Sequence, residues 1–180
     1  LVTFFVLALN MAAVLQEYIL GMLARRHAHR ETFPVALWRL FQRNPRRYGG
    51  YLVHIGIIII ATAIVFQHNY QFDREIALMP GQNTTIGQYT LTYEGLNSRV
   101  VGNHQEIYAT LQMRKNGRLV GTVQPKRNLY FKSNQSISEV ALHVTPVGDL
   151  YAVLAGWENG GRPASFSLYF NPLMVWLWIG

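Results

Sequence analysis

The chain has 180 residues, half of them apolar and 14% charged, with no cysteine and a formal net charge of +7. The missing cysteines exclude a disulfide framework, a Cys-ligated zinc or iron–sulfur site and thiol catalysis. A mean hydropathy of +0.09 hides an uneven distribution. From Tyr48 to Phe72 there are 25 residues without an Asp, Glu, Lys or Arg. As a helix this stretch is about 37 Å long, enough to cross a hydrocarbon core of about 30 Å. That excludes an ordinary soluble domain.

Composition shifts divide the chain into five parts. Residues 1–24 are largely apolar with a single charge, Glu17, and predict a transmembrane helix. Residues 25–48 form a basic loop with seven arginines against one acid, Glu31. Residues 49–67 predict a second transmembrane helix, and residues 68–170 a polar, turn-rich domain. Residues 171–180 predict the start of a further span. The chain opens inside an apolar run with neither Met nor a preceding basic region. It is therefore expected to be an internal piece of a longer polytopic protein, not one headed by a secretory signal.

Orientation follows from charge. The short loop is net +6, whereas residues 68–170 carry nine basic and seven acidic side chains. Short positive loops stay cytoplasmic, so the large domain is expected on the opposite side, in a bacterium the periplasm. Within the loop, Thr32-Phe33-Pro34 predicts a helix start and Asn44-Pro45 its end. Val35, Leu37, Trp38, Leu40 and Phe41 alternate there with Arg39 and Arg43 at helical spacing. This pattern suits a short helix on a membrane surface with its arginines toward anionic lipid; a solvated linker helix is the alternative.

Residues 68–170 read as all-β. Ile107, Ala109, Leu111 and Met113 alternate with polar residues, the period-2 mark of a strand with one buried face. Asn116-Gly117 then predicts a hairpin. Tyr89 to Tyr93 alternates too, and so do Val140, Leu142 and Val144, which puts His143 on a polar face. Leu150 to Trp157, a Gly160-Gly161 turn and Ala164 to Phe170 complete six to eight strands in a small barrel or sandwich.

Among six histidines, His54 stands apart as the titratable residue inside an apolar run. Such a side chain faces a bundle interior, a cavity or a cofactor, and neutral imidazole suits a haem iron between helices. Haem or metal ligation, an interhelical hydrogen bond and interfacial anchoring all remain open for it. Gly50, four residues earlier, shares its face and leaves room for a flat ring or a close helix. His68 lies about 21 Å further along the helix and reads as interfacial. His104 is expected in a solvated turn, and His27 and His29 add polarity to the basic loop. Asn10 and Glu17 share a helix face; Glu17 is expected to relay protons, to pair with another helix, or to lie at the interface with no further role. The chain has no nucleophile elbow, phosphate loop or dinucleotide fingerprint. The arginines flank membrane spans, so their partner is expected to be membrane lipid and not nucleic acid.

Arg47-Tyr48-Gly49-Gly50-Tyr51-Leu52-Val53-His54-Ile55-Gly56 and Asn171-Pro172-Leu173-Met174-Val175-Trp176-Leu177-Trp178-Ile179-Gly180 resemble the CcmF/NrfE family of membrane subunits in bacterial system I cytochrome c maturation. Gln124 to Phe131 and Ser138 to Ala141 resemble its periplasmic segment, with Ser138-Glu139 where relatives are expected to carry a further acidic or Thr-Glu pattern. The resemblance implies a polytopic α-helical membrane protein with a periplasmic all-β domain, in the bacterial inner membrane. It also implies a haem lyase, active in a multisubunit complex and inactive as these 180 residues alone. Such a protein takes haem from the chaperone CcmE and joins it to the Cys-x-x-Cys-His thiols of apocytochrome c, alongside CcmH/CcmI subunits. It further implies a haem b whose iron has His54 as one axial ligand, the second coming from elsewhere, and which hands an electron to the substrate haem. No catalytic residue is assigned. A polytopic transporter using Asn10, Glu17 and His54, or a non-catalytic scaffold recruiting partners through the β-domain, are the competing readings.

Overall fold

The computed structural model describes residues 1–133 and 135–180. It divides into a helical unit, Leu1–His68 with Met174–Gly180, and a β unit, Asn69–Leu173.

The helical unit contains α1 (Val2–His29), α2 (Phe33–Arg43), α3 (Pro45–Tyr70) and α4 (Met174–Ile179). α1 runs past the charge boundary at residue 24 because Ala24 to His29 are acceptable helix formers, and their cations suit the negative end of the helix dipole. Arg30 then ends it in the left-handed region, φ 51°. α3 likewise begins before residue 49, at Pro45, whose fixed φ and missing N–H suit a first turn. Both α1 and α3 are long and apolar enough to cross a membrane.

Val14, Tyr18, Leu40 and Tyr48 form the buried centre of this unit, with Met22, Phe41, Tyr51 and Ile55 around them. The Tyr18 hydroxyl donates to the Tyr48 carbonyl at 2.5 Å, which gives this buried phenol its partner. The loop's single acid is its clasp: Glu31 receives Arg25 twice at 3.0 Å and Arg39 at 2.6 Å, joining α1 to α2. The arginine partners hold the Glu31 carboxyl below its ordinary range, Arg25 foremost.

The β unit contains ten strands among the described residues: β1 (Phe72–Leu78), β2 (Asn83–Ile86), β3 (Tyr89–Val101), β4 (His104–Lys115), β5 (Arg118–Val123), β6 (Lys126–Tyr130), β7 (Ser136–Glu139), β8 (Ala141–His143), β9 (Gly148–Trp157) and β10 (Ala164–Pro172). This exceeds the expected six to eight, because the short β2 and β7 hold too few residues to register a period. One sheet runs β1-β10-β9-β8. The other runs β2-β3-β4-β6-β7, with β5 also paired to β4. Two facing sheets make a sandwich, which decides the alternative the sequence left open. β7 and β8 are separated only by Val140, where the chain steps from one sheet to the other.

Alternation builds the core. Tyr89, Leu91 and Tyr93 from β3 and Ile107, Ala109, Leu111 and Met113 from β4 meet Leu150, Leu154, Phe166 and Leu168 from the opposite sheet. The β4–β5 hairpin turns on Asn116 (φ 51°) and Gly117 (φ 77°), a pair of left-handed residues as such a two-residue turn requires.

On β8 the expected faces are reversed. Leu142 and Val144 are each 50% exposed, while Ala141 and His143 are half-buried. The His143 ring stands edge-on to Tyr89 at 5.6 Å. The physical reason is position: β8 is a three-residue strand at a sheet edge, just after the chain has changed sheets, so only one of its faces meets core.

Candidate functional site

His54 sits on the exposed side of α3, beside Val53 (61% exposed) and Ile57 (57% exposed). Its Nδ1 lies 2.9 Å from the Gly50 carbonyl oxygen, one helical turn earlier. A carbonyl only accepts, so this bond puts the ring proton on Nδ1 and leaves Nε2 with its lone pair directed away from the helix. A backbone carbonyl holding one imidazole nitrogen while the other is free is the arrangement found behind metal-bound histidines. Space is available too: a Cβ built on Gly49 or Gly50 meets nothing within 4 Å. A single outward imidazole beside a bare flank fits an axial ligand to a flat macrocycle, which brings its own four nitrogens. It does not fit a chelated ion, and no group of three metal-ligating side chains occurs among the described residues.

The other candidates are not gathered around His54. Asn10 donates to the Val6 carbonyl of its own helix at 2.8 Å, and Glu17 pairs with Arg47. The two residues are thus engaged separately, and among the described residues no hydrogen bond joins either of them to His54. His27 and His29 lie in the last turn of α1, and His68 in the last turn of α3.

His104 does not occupy a solvated turn. It opens β4, half-buried, with its ring 5.0 Å from that of Tyr130. Strand pairing carries it there, because register sets His104 opposite Tyr130. Its Nε2 is 3.8 Å from Glu106, the centre of a charge cluster that the residue pattern did not reveal. Glu106, 7% exposed, accepts from Arg99 Nε at 2.6 Å and lies 3.8 Å from Lys126 Nζ. Lys126 also approaches Glu139 at 3.9 Å, and Glu139 accepts from Asn128 at 3.2 Å. The Arg99 hydrogen bond, with Lys126 and His104 nearby, holds the Glu106 carboxyl below its usual range. One signal could have found part of this cluster: a hairpin turning at Gly102-Asn103 sets Arg99 opposite Glu106. It is a structural ion cluster, since two cations and a histidine are gathered on one buried carboxylate.

The family model described as "CcmF C-terminal beta-sandwich" matches residues 69–172. A cytochrome c-type biogenesis protein CcmF from Haemophilus influenzae is 26% identical over 97% of this chain, and the match covers 26% of that relative. NrfE of the same organism, also a cytochrome c-type biogenesis protein, is 30% identical over 81% of this chain and 24% of the relative. The chain thus spans about a quarter of the length of these curated relatives. A solved structure titled "Cytochrome c Heme Lyase CcmF" superposes with a TM-score of 0.65 at 20% identity, over 94% of this chain and 32% of that one. That likeness extends the agreement in fold from the sandwich to the flanking helices. With the family model covering more than half of its length, the chain belongs to the CcmF family and carries that family's C-terminal β-sandwich.

Proposed function

We propose that this chain is the C-terminal part of a haem lyase of cytochrome c maturation, and that His54 is an axial ligand of a haem b within it. The single observation that carries the reading is the His54–Gly50 hydrogen bond, which leaves Nε2 free on the exposed side of α3 with open space at Gly50. In this reading α1 and α3 span the bacterial inner membrane. The arginine-rich α1–α2–α3 connections face the cytoplasm, with α2 at the lipid surface, and the sandwich lies in the periplasm. Family membership and the names of the relatives support the maturation role.

The reaction adds a cysteine S–H across each haem vinyl C=C, so that a thioether forms and nothing is oxidised. The substrate haem comes from the chaperone CcmE and the thiols from apocytochrome c presented by CcmH/CcmI. A haem b on His54 supplies one-electron chemistry when bound. The chain's own contribution is positional: Gly50 O fixes the ring's tautomer and rotation, and the exposed Val53 and Ile57 beside it give the flat ring apolar neighbours on the same helix. The sandwich, rigid through its two-sheet core, offers a docking scaffold for partners. A transporter using Asn10, Glu17 and His54 is disfavoured by the separate engagement of the first two.

The test is covalent haem attachment in cells. Full-length protein restores haem-stained reporter cytochrome c to a strain lacking its own lyase, and His54→Ala abolishes it at equal protein level. Full maturation by His54→Ala would overturn the role given to His54.

A further inference from the structure

α3 begins with two arginines beneath His54. Arg46 and Arg47 precede it by eight and seven residues, placing their Cα atoms about 10–12 Å toward the helix N-terminus. At about 100° per residue, Arg47 lies within about 20° of the His54 line, and Arg46 about 80° round toward exposed Val53 and Ile57. The two are engaged differently. Arg47 pairs with Glu17 through Nη2, and its Nε lies 3.4 Å from the Tyr51 hydroxyl. Arg46 is exposed and makes no ion pair among the described residues. Between the arginines and His54, Gly50 lies about 40° from the His54 line with open space at its Cβ position, and Tyr51 lies on the other side of that line. One face of α3 therefore carries, in order, a cationic turn at the positive end of the helix dipole, a bare step and an outward imidazole.

We propose that Arg46 binds a propionate carboxylate of the haem that His54 ligates, with Arg47 held beneath the same edge by Glu17; the inference rests on the reading of His54 given above. A macrocycle ligated through Nε2 lies across the ligand direction, so its plane follows the helix and one edge reaches a first or second turn away. Its only charged edge carries the two propionates. An anionic edge on an apolar helix face needs a cation, and the planar guanidinium meets a carboxylate with two parallel N–H bonds. Arg47 is already compensated by Glu17, so the charge free to take a propionate is that of Arg46. The arrangement fixes haem orientation, with propionates toward the basic loop. Arg46 is a positioning residue, and it tunes the iron by placing positive charge near the reduced ring.

The experiment is a redox titration of purified full-length protein, comparing parent, Arg46→Gln, Arg46→Lys and His54→Ala. Arg46→Gln removes a charge without removing an ion pair of the fold. It is expected to keep a b-type spectrum with a lower midpoint potential, or to lose haem, and Arg46→Lys restores most of either effect. An Arg46→Gln protein with parental haem content and midpoint potential, while His54→Ala loses haem, overturns the propionate assignment alone. Folded parent without haem b overturns the reading of His54 and this inference with it.

Discussion

In the helical unit three polar side chains in the apolar stretches of α1 and α3 are answered one turn back on their own helix, while Tyr18, Glu17 and Glu31 are answered from other elements. Asn10 donates to Val6, Thr62 to Ile58, and His54 to Gly50. In the sandwich the charges meet across strands: Arg99 of the neighbouring β3 and Lys126 of β6 converge on Glu106, and Arg127 of β6 donates to the Ala155 carbonyl of the other sheet. The contrast extends to packing. Seventeen buried residues make the sandwich core, against four at the centre of the helical unit. A helix satisfies its backbone internally and can leave a face open for other groups. A sandwich exists only through its long-range contacts. In the reading proposed above, the first holds a cofactor on an outward face and the second stays rigid while partners bind.

The contrast can be broken most strongly in the sandwich core. Phe166, 1% exposed, packs edge-on to Tyr93 at 5.2 Å. Phe166→Ala is expected to cost about 3–5 kcal/mol, because the ring leaves a cavity between two sheets that cannot collapse. Urea-dependent proteolysis of the whole protein, followed by cleavage within residues 69–172, reads the loss; unchanged resistance would mean the sheets are not interdependent.

A smaller effect is expected at Gly161, which takes φ +96° in the β9–β10 turn and accepts the Tyr93 hydroxyl at 3.1 Å. A Cβ there meets Leu96 Cβ at 2.6 Å, so Gly161→Ala strains backbone and neighbour together, by about 1–3 kcal/mol. The same proteolysis assay detects it, and Gly160→Ala, where a Cβ meets nothing, serves as the strain-only comparison.

The charge cluster gives a pH signature. Glu106 has its pKa lowered in the fold, so its contribution is present above the ordinary carboxylate pKa and fades as pH falls through the lowered one. Glu106→Gln removes that contribution, and the variant's stability declines less steeply on acidification than the parent's. Parallel acid-side profiles from thermal unfolding would show that the cluster is not linked to folding. The least effect is expected at Thr32, the α2 N-cap, which makes no side-chain cap hydrogen bond. Thr32→Ala should shift stability by no more than about 0.5 kcal/mol, since the usual value of a cap comes from that bond.

The same contrast explains what could be read from residues alone. β3 and β4 were legible because each keeps one face on the core for many residues, so period 2 is written into Tyr89–Tyr93 and Ile107–Met113. β8 misleads because Val140, Leu142 and Val144 alternate at a sheet edge where apolar residues face out. Charge sets the expected lipid–water boundary near residue 24, but not the helix end at His29, because a helix can pass through such a boundary intact. His54 was visible as a polar residue in an apolar run, and its bond to Gly50 follows from helical spacing. The Glu106 cluster was not: Lys126 lies twenty residues on, and only the β4–β6 register brings it near.

The most direct measurement is the dithionite-reduced visible spectrum of purified full-length protein beside that of its His54→Ala variant. A b-type haem band in the parent that is lost in a folded variant is the predicted result. An equal band in both would contradict ligation by His54.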